Sequence, residues 1–152
     1  MTRWLDAQER EAWLGLAGVT LLLPNQLDAQ LQRDAGLNMF EYLVLAMLSE
    51  APDRSMRMNQ LAAVVRSSQS RLSHAVSRLE ESGWVAREPV PGDGRGLVAR
   101  LTEAGYRRLV EVAPSHAKTV RTTLFDPLSP EQLRQFGDIC STVIAAMDRT
   151  PD

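Results

Sequence analysis

The fold of this chain follows from residues 59–101, whose sequence is NQLAAVVRSSQSRLSHAVSRLEESGWVAREPVPGDGRGLVARL. A short helical pattern opens at Asn59, and Arg66-Ser67-Ser68 forms a tight polar turn after it. Ser68 is a suitable N-cap and Gly83 a suitable stop signal, so a second helix is predicted over 69–82. Its apolar residues recur at i, i+3, i+4 and i+7, which indicates one buried face. These residues are Leu72, Ala75, Val76 and Leu79.

Two short strands are predicted after this helix, over 84–88 and 97–101. The eight residues between them, Pro89 to Gly96, are dense in turn formers, so the strands are expected to form a hairpin with a long tip. The order helix, tight turn, helix, hairpin is that of a winged helix-turn-helix. Met56-Arg57-Met58 is a candidate for a further short strand.

The flanking segments are helical by their periodicity. A first helix is predicted from Asp6 to about Asp34, with a kink near Thr20–Leu23 because Pro24 removes a backbone donor. Asn38 caps a second over 39–50. Thr102 caps a third, which runs to about Phe125 with a second kink at Pro114, and a last helix begins at Ser129 or Pro130. The predicted fold class is therefore mainly α with a small β-wing.

The charge of the chain is unevenly distributed. The whole chain sums to −2, but residues 54–108 hold ten arginines and five acids, a net charge of +5. The remaining residues hold seven basic and fourteen acidic side chains, a net charge of −7. This split predicts one face suited to a polyanion, although solvated charges that cluster by chance are an alternative.

The outward face of the predicted helix 69–82 carries groups that read DNA. At 100° per residue, the pole opposite the apolar stripe falls on four residues: Ser70, His74, Ser77 and Glu81. Arg71 and Arg78 flank this pole on one side, and Gln69 and Ser73 lie towards the other. Short hydroxyls, amides and guanidiniums contact base edges and phosphates in a major groove. We therefore assign these residues except Glu81, together with the N-cap Ser68, to DNA binding; a solvent-exposed helix of an unrelated α+β protein is the alternative.

The tip of the hairpin supplies a second set of candidates. Asp93 and Arg95 lie two residues apart among three glycines, and a pair between their side chains would hold the guanidinium outward. An arginine in such a setting can enter a minor groove, where the negative potential attracts it. Arg87 in the first strand of the hairpin is counted with these DNA-binding residues.

These motifs resemble the MarR family of bacterial transcription regulators. The resemblance extends from about Leu14 to Met147, and it is most specific at Asp93-Gly94-Arg95-Gly96 followed by Leu101-Thr102-Glu103-Ala104-Gly105. It implies a homodimer built from helices of both chain ends. The domains it implies are residues 1–37 for dimerisation, 38–105 for the DNA-binding winged helix-turn-helix, and 106–152 for C-terminal dimerisation.

The resemblance also implies how such a protein acts. Each recognition helix would enter the major groove, and each wing the minor groove, of a double-stranded, pseudo-palindromic operator. The function implied is that of a repressor released by a small aromatic or phenolic effector. The candidate pocket residues are Trp13, Leu16, Met39, Tyr42 and His116. Core or dimer packing is the alternative role of these aromatic and apolar residues, and an exposed or interface position that of His116.

Three departures from the family pattern stand out. Arg66 occupies a position at which the family often has glycine, and Ser67 one at which it has a branched apolar residue. Arginine is common where His74 stands, so base preference is expected to differ. Pro24 falls in a helix that is usually uninterrupted.

Other classes of function find little support. A single cysteine, Cys140, argues against a disulfide scaffold or a multi-cysteine metal site, and its place on an apolar stripe predicts packing rather than redox chemistry. No cofactor or metal is expected. Ser70 and His74 lie one turn apart, but no carboxylate is spaced to orient His74, so an enzyme is not predicted. The longest apolar run, 42–48, is too short to cross a membrane, and a cytoplasmic protein is expected. A winged helix that binds only protein is the remaining alternative.

Overall fold

Six helices and a three-stranded sheet make up residues 2–148, which are the residues that the computed structural model describes. The α-helices are α1 Ala7–Ala35, α2 Met39–Glu50, α3 Met58–Val64, α4 Gln69–Glu81, α5 Glu103–Val120 and α6 Pro130–Met147. The strands are β1 Ser55–Arg57, β2 Val85–Pro89 and β3 Leu97–Leu101. A 3₁₀ turn at Pro52–Arg54 precedes β1, and a π-helical turn at Arg121–Phe125 follows α5. The chain divides into two compact units with the boundary between His116 and Ala117.

The helices begin where the sequence predicts caps. The Asn38 side chain accepts a hydrogen bond from the Glu41 N–H, and the Glu41 carboxylate accepts one from the Asn38 N–H, which forms a capping box at the start of α2. Ser68 accepts from the Arg71 N–H at the start of α4, and Ser129 forms a capping box with Gln132 at the start of α6. These side chains satisfy backbone donors that have no partner within the helix.

The prolines do not interrupt their helices. α1 continues from Ala7 to Ala35 through Pro24, and α5 continues from Glu103 through Pro114 to Val120. Neither proline ends its helix, and the kinks near Thr20–Leu23 and at Pro114 stay predictions. Pro24 still leaves the Thr20 carbonyl without the N–H that an ordinary residue would offer it.

The wing is a sheet of three strands rather than a hairpin of two. Its order is β1-β3-β2, and both pairings are antiparallel. The predicted strand Met56–Met58 begins one residue earlier, at Ser55. It ends at Arg57, because Met58 already belongs to α3. Since Met56 pairs with Ala99 and Arg87 pairs with the same residue from the other side, β3 ties the segment before α3 to the segment after α4.

The core of the first unit surrounds α4. Its inward residues Leu72, Ala75 and Val76 are fully buried and Leu79 is 1% exposed, as the apolar stripe predicts. Leu72, Val76 and Leu79 belong to a cluster with apolar residues of α1, α2, α3, the sheet and α5. Burial of each such leucine contributes about 1.5–3 kcal/mol. The core therefore fixes which face of α4 points outward.

The predicted division into 1–37, 38–105 and 106–152 cuts through this core. Leu31 and Ala35 of α1 and Leu109 and Val112 of α5 all belong to the same buried cluster as α4. The second half of α1 and the first half of α5 thus help to hold the recognition helix. The dimerisation role given to the first and last segments remains a prediction, and residues 149–152 of the last segment lie outside the described residues.

Arg66 adopts a left-handed backbone conformation in the turn between α3 and α4, with φ of +52°. This is the position at which the resembled family often carries glycine. A residue with a Cβ in this region costs roughly 1–2 kcal/mol. The turn therefore keeps the shape that glycine would allow, at some cost in backbone strain.

Gly105 allows α5 to start against the backbone of the wing. A Cβ at this position would lie 2.1 Å from the Trp84 carbonyl oxygen, which also accepts a hydrogen bond from the Thr102 N–H. Backbone cannot move aside as a flexible side chain can, so the contact demands glycine.

We expect Gly105→Ala to lower the free energy of unfolding by about 3 kcal/mol, at the upper end of what overpacking costs. Urea unfolding followed by circular dichroism measures this change. Gly94→Ala is the matched control, because a Cβ there meets nothing within 4 Å, and its effect should stay within about 0.5 kcal/mol. Equal stability of the two variants would contradict the close approach at Gly105.

Candidate nucleic-acid interface

The outward face of α4 is exposed and polar, and it begins at the capped end of the helix. The exposed residues that were predicted to bind DNA are Ser68, Gln69, Ser70, Arg71, His74 and Arg78. All of them lie opposite the buried stripe. This part of the prediction places donors and acceptors where a duplex could reach them.

Ser73 and Ser77 do not stand on that outward face. Both are only half-exposed, and their hydroxyls accept hydrogen bonds from Arg87, at 3.2 Å from Nη1 and 2.9 Å from Nη2 respectively. The expectation that Ser77 lies at the outward pole was wrong, since β2 packs beside this edge of the helix. The pole is shifted towards Ser70, His74 and the two flanking arginines.

Arg87, which was assigned to DNA binding, forms several contacts within the protein. Its Nη2 lies 2.7 Å from the Glu80 carboxylate, and its Nε donates to the same carboxylate at 2.8 Å. The Arg87 backbone N–H donates to the other Glu80 oxygen at 2.7 Å. Partial burial raises the pKa of Glu80, but the bonds and charge from Arg87 outweigh it and hold that pKa below its ordinary value.

Arg78 is held from its other side by a buried acid. Its Nε donates to Glu41 at 2.5 Å, and the side chain of Glu41 is only 8% exposed while that of Arg78 is 53% exposed. Glu41 also caps α2 through Asn38. The ion pair thus fixes the root of the Arg78 guanidinium while its outer edge stays accessible.

Arg71 lies over the ring of Phe40, with its guanidinium carbon 4.3 Å from the ring centre. This cation–π contact orients the side chain without neutralising its charge. A cavity of about 840 Å³ opens beside it, lined by apolar side chains of α2 and polar side chains of α4. The lining residues are Pro24, Asp28, Asn38, Met39, Phe40, Leu43, Ser68, Ser70, Arg71, His74 and Arg78.

The wing tip is organised by Asp93, but not in the predicted way. The Asp93 carboxylate accepts hydrogen bonds from the backbone N–H groups of Arg95 and Gly96, at 3.2 and 3.1 Å. Its other oxygen lies 3.1 Å from Nη1 of Arg57 in β1. The bond from the Arg95 N–H is the largest cause that holds the pKa of Asp93 below its ordinary value, followed by the bond from Arg57. Asp93 therefore fixes the backbone around Arg95 rather than its guanidinium.

Ion pairs within the basic segment leave its net charge unchanged, but they determine which of its arginines are already engaged inside the protein. Four of its five acids pair with an arginine of the same segment. These pairs are Glu80–Arg87, Glu88–Arg100, Asp93–Arg57 and Glu103–Arg54. Within residues 2–148, Arg71 and Arg95 are exposed and form no ion pair. Positive charge without an internal partner thus lies on α4 and at the wing tip.

A cleft of about 560 Å³ joins these two elements. Gln69, Ser70 and Ser73 of α4 line one side, and Arg95 and Gly96 of the wing line the other. The exposed face of α4 and the wing tip thus lie on one surface of the protein.

The five predicted pocket residues do not converge. Trp13 and Leu16 are 56% and 50% exposed on α1, and Met39 alone lines the cavity described above. Tyr42 and His116 lie together, with ring centres 4.2 Å apart.

His116 belongs to the core rather than to an exposed or interface surface. It is 8% exposed, and its Nδ1 lies 2.9 Å from Gln30 Oε1. Burial lowers the pKa of His116, which favours a neutral imidazole in the folded protein.

The sequence analysis missed three functional partners. Glu41 and Glu80 each hold an arginine, and Arg57 secures the wing tip. The spacing Asn38-x-x-Glu41 does match a capping box, but it says nothing of Arg78. Arg57 and Asp93 are 36 positions apart, and the only signal for their pair was the candidate strand around Arg57.

Neither a metal site nor a membrane-spanning helix is found among residues 2–148. No cluster of three or more His, Cys, Asp and Glu side chains in residues 2–148 is arranged to hold a metal ion. None of the helices found there combines the length and apolarity needed to cross a bilayer. Cys140 is a free, half-exposed cysteine.

Known proteins are similar to this chain in sequence and in fold. The MarR family model matches residues 35–96. The transcriptional regulator PecS of Dickeya dadantii is 30% identical over 119 residues, which are 77% of this chain and 70% of PecS. The transcriptional repressor MprA of Escherichia coli K12 is 26% identical over 75% of this chain and 64% of its own length.

Two solved structures from Streptomyces coelicolor are similar over nearly the whole chain. Sco3205, a MarR family transcriptional regulator solved in complex with DNA, is 45% identical with a TM-score of 0.91 and covers 99% of this chain and 94% of its own. AbsC, also a MarR family transcriptional regulator, is 39% identical with a TM-score of 0.91 and covers 98% of this chain and 100% of its own. Sequence, fold and the geometry of the wing agree, and the chain belongs to the MarR family of transcriptional regulators.

Proposed function

We propose that this protein is a homodimeric repressor that binds a pseudo-palindromic DNA operator. The observation that carries the proposal is that Arg71 on α4 and Arg95 on the wing are exposed and form no ion pair within residues 2–148. Arg95 lines the cleft between the wing and α4, and Arg71 directly follows Ser70, which lines the same cleft. α4 would enter the major groove and Arg95 the adjacent minor groove. The complex of Sco3205 with DNA supports the same use of the fold.

The chemistry of the outward face suits base reading. Arg71 can form a bidentate contact with guanine, and Gln69 can do so with adenine. Ser70 and His74 provide shorter donors and acceptors between them. Asp93 holds the backbone on both sides of Arg95, so that the guanidinium is presented from a fixed loop.

Two exposed apolar faces support the homodimer. Along α1, Trp13, Leu14, Leu21 and Leu22 are each at least 55% exposed. In α6 no residue is buried, and its apolar residues recur on one face. These residues are Leu133, Phe136, Ile139, Val143, Ile144 and Met147. A second copy of the chain would cover surfaces that water disfavours.

The proposed effector site is the cavity of about 840 Å³ rather than the set of residues predicted from sequence. Met39, Phe40 and Leu43 offer apolar contact to an aromatic ring, and Arg71 and Arg78 offer charge to a phenolate or carboxylate. An effector relieves repression only if it binds the DNA-incompetent state more tightly than the competent one. A ligand that engages Arg71 would meet this condition, because the same side chain is proposed to contact DNA.

We expect Arg71→Ala to weaken binding of the selected operator by about 1–3 kcal/mol per half-site if Arg71 contacts guanine, with relaxed specificity at one base. A phosphate contact would instead lower the salt slope by about one per half-site. Arg95→Ala should mainly affect sites with a narrow A·T-rich minor groove.

Gel-shift or anisotropy titrations over a salt series measure these effects, on a duplex selected by the wild type from a random-sequence library. Arg121→Ala, which removes the same charge from a different unit, is the control. Failure of the wild type to select any duplex, or wild-type binding by Arg71→Ala, would contradict the proposal. A winged helix that binds only protein would give the first of these results.

We expect the wild type to have twice the monomer mass of 16.9 kDa by sedimentation. Ile139→Asp should shift it towards the monomer, because a carboxylate would be buried without a partner. Ser141→Asp adds the same charge to the side of α6 opposite Ile139, where the residue is exposed, and should leave the dimer intact. A monomeric wild type would overturn the dimer.

We expect small phenols and aromatic carboxylates that release the operator also to raise the melting temperature of the free protein, since ligands that bind the folded state stabilise it. Met39→Trp should fill the cavity and abolish both effects while DNA binding persists without ligand. Release that is unchanged in Met39→Trp would place the effector elsewhere.

A further inference from the structure

Arg87 makes more polar contacts than any other side chain around α4. Its Nε, Nη1 and Nη2 all donate within the protein, to Glu80, Ser73 and Ser77. The Arg87 backbone N–H donates to Glu80 as well. These contacts join one residue of β2 to three successive turns along one edge of α4.

The single proton of the Ser77 hydroxyl is used within this cluster. It accepts from Arg87 Nη2 at 2.9 Å, and it donates its proton to the Ser73 carbonyl oxygen at 3.0 Å. A serine has a single hydroxyl proton, so Ser77 has none left to offer a base or a phosphate. The hydroxyl of Ser73 accepts from Arg87 but keeps its own proton, and it lines the cleft between α4 and the wing.

Arg87 is also poorly placed to neutralise DNA. Its side chain is 24% exposed, and the Glu80 carboxylate 2.7 Å from Nη2 already balances its charge. Glu80, Ser73 and Ser77 together engage four of the five N–H donors of the Arg87 guanidinium, so at most one is left for a phosphate. Nε and Nη2 converge on the same Glu80 oxygen, and such charge-assisted contacts are stronger than neutral hydrogen bonds.

We propose that Arg87 is a positioning residue, and that the Arg87–Glu80 pair clamps the wing to the recognition helix. The inference rests on the proposed DNA-binding function. The clamp sets the separation between α4 and the strand that leads to Arg95, so that both elements meet adjacent grooves together. It further assigns Ser77 to the clamp and leaves Ser73 to donate its remaining proton to an acceptor on DNA.

The test compares Arg87→Lys, Arg87→Met, Glu80→Met and the double variant in the full-length protein on the selected duplex. Lysine keeps the charge but cannot reproduce three donors in a planar fork, so Arg87→Lys should weaken binding about tenfold or more. Glu80→Met should weaken binding similarly, although it removes a negative charge. The salt slope should stay at the wild-type value in all of them, because no phosphate contact is lost.

The double variant and a second arginine provide the controls. Because one interaction is lost in either case, Glu80→Met with Arg87→Met should bind no worse than the weaker single variant. Arg100→Met removes the same charge from β3, where Arg100 pairs with the exposed Glu88, and its affinity should stay within about threefold of the wild type.

Hydrogen exchange of residues 85–98 in the free protein adds a readout that needs no DNA. Exchange should be faster in Arg87→Lys and Glu80→Met than in the wild type and unchanged in Arg100→Met. If the wild type selects no duplex, the proposed function fails, and exchange still decides whether the clamp exists. Any of three results would overturn the clamp. The first is wild-type binding by Arg87→Lys, and the second is unchanged hydrogen exchange in Arg87→Lys and Glu80→Met. The third is a salt slope lowered by about one per subunit in Arg87→Met while Glu80→Met binds as tightly as the wild type.

Discussion

The packing of one face of α4 is the constraint from which the rest of the site follows. Leu72, Ala75, Val76 and Leu79 are buried, and all but Ala75 share one apolar cluster with residues of α1, α2, α3, β2, β3 and α5. Because a helix has only one opposite face, this burial determines that Ser70, Arg71 and His74 point away from the core. Ser68 fixes where the helix begins, so the exposed residues start at the first turn. Loss of this packing would leave the polar residues without a defined direction.

The acidic residues of this surface determine which of its arginines are engaged in ion pairs and which are not. A net charge of +5 over residues 54–108 suggests a uniformly basic segment. In the structure, most of these acids form ion pairs with arginines that connect strands or join the wing to a helix. Arg71 on α4 and Arg95 at the wing tip are among the exposed arginines that these acids leave without an ion pair. The proposed DNA contact therefore depends on where individual guanidiniums lie, and not only on the net charge of the segment.

The local patterns of the sequence predicted most of the fold and only part of the site. Helix periodicity, N-caps at Asn38 and Ser68, and the turn-rich tip of the wing are encoded within a few residues, and the structure confirms them. Pairs across long separations are not encoded in this way, so Glu41–Arg78 and Arg57–Asp93 were missed. Helical projection placed Ser77 outward because it treats the helix as isolated, whereas β2 and Arg87 cover that edge. Trp13 and His116 were grouped by the family resemblance alone, and spacing along a helix does not reveal which other element a residue faces.

The size of the exposed face gives a physical reason for a dimer to be the functional unit. Each good bidentate contact provides about 1–3 kcal/mol of discrimination, and one α4 offers only Gln69, Arg71 and a few shorter groups for such contacts. A regulator has to discriminate against roughly 10⁶–10⁹ competing genomic sites, which one helix of this kind does not achieve. Two copies acting on a symmetric operator double the free energy of discrimination and so square the specificity ratio. The exposed apolar faces of α1 and α6 favour a dimer, because a second copy would cover them. The short list of base-reading groups on α4 favours the same assembly, because a second copy would add the selectivity that one helix lacks.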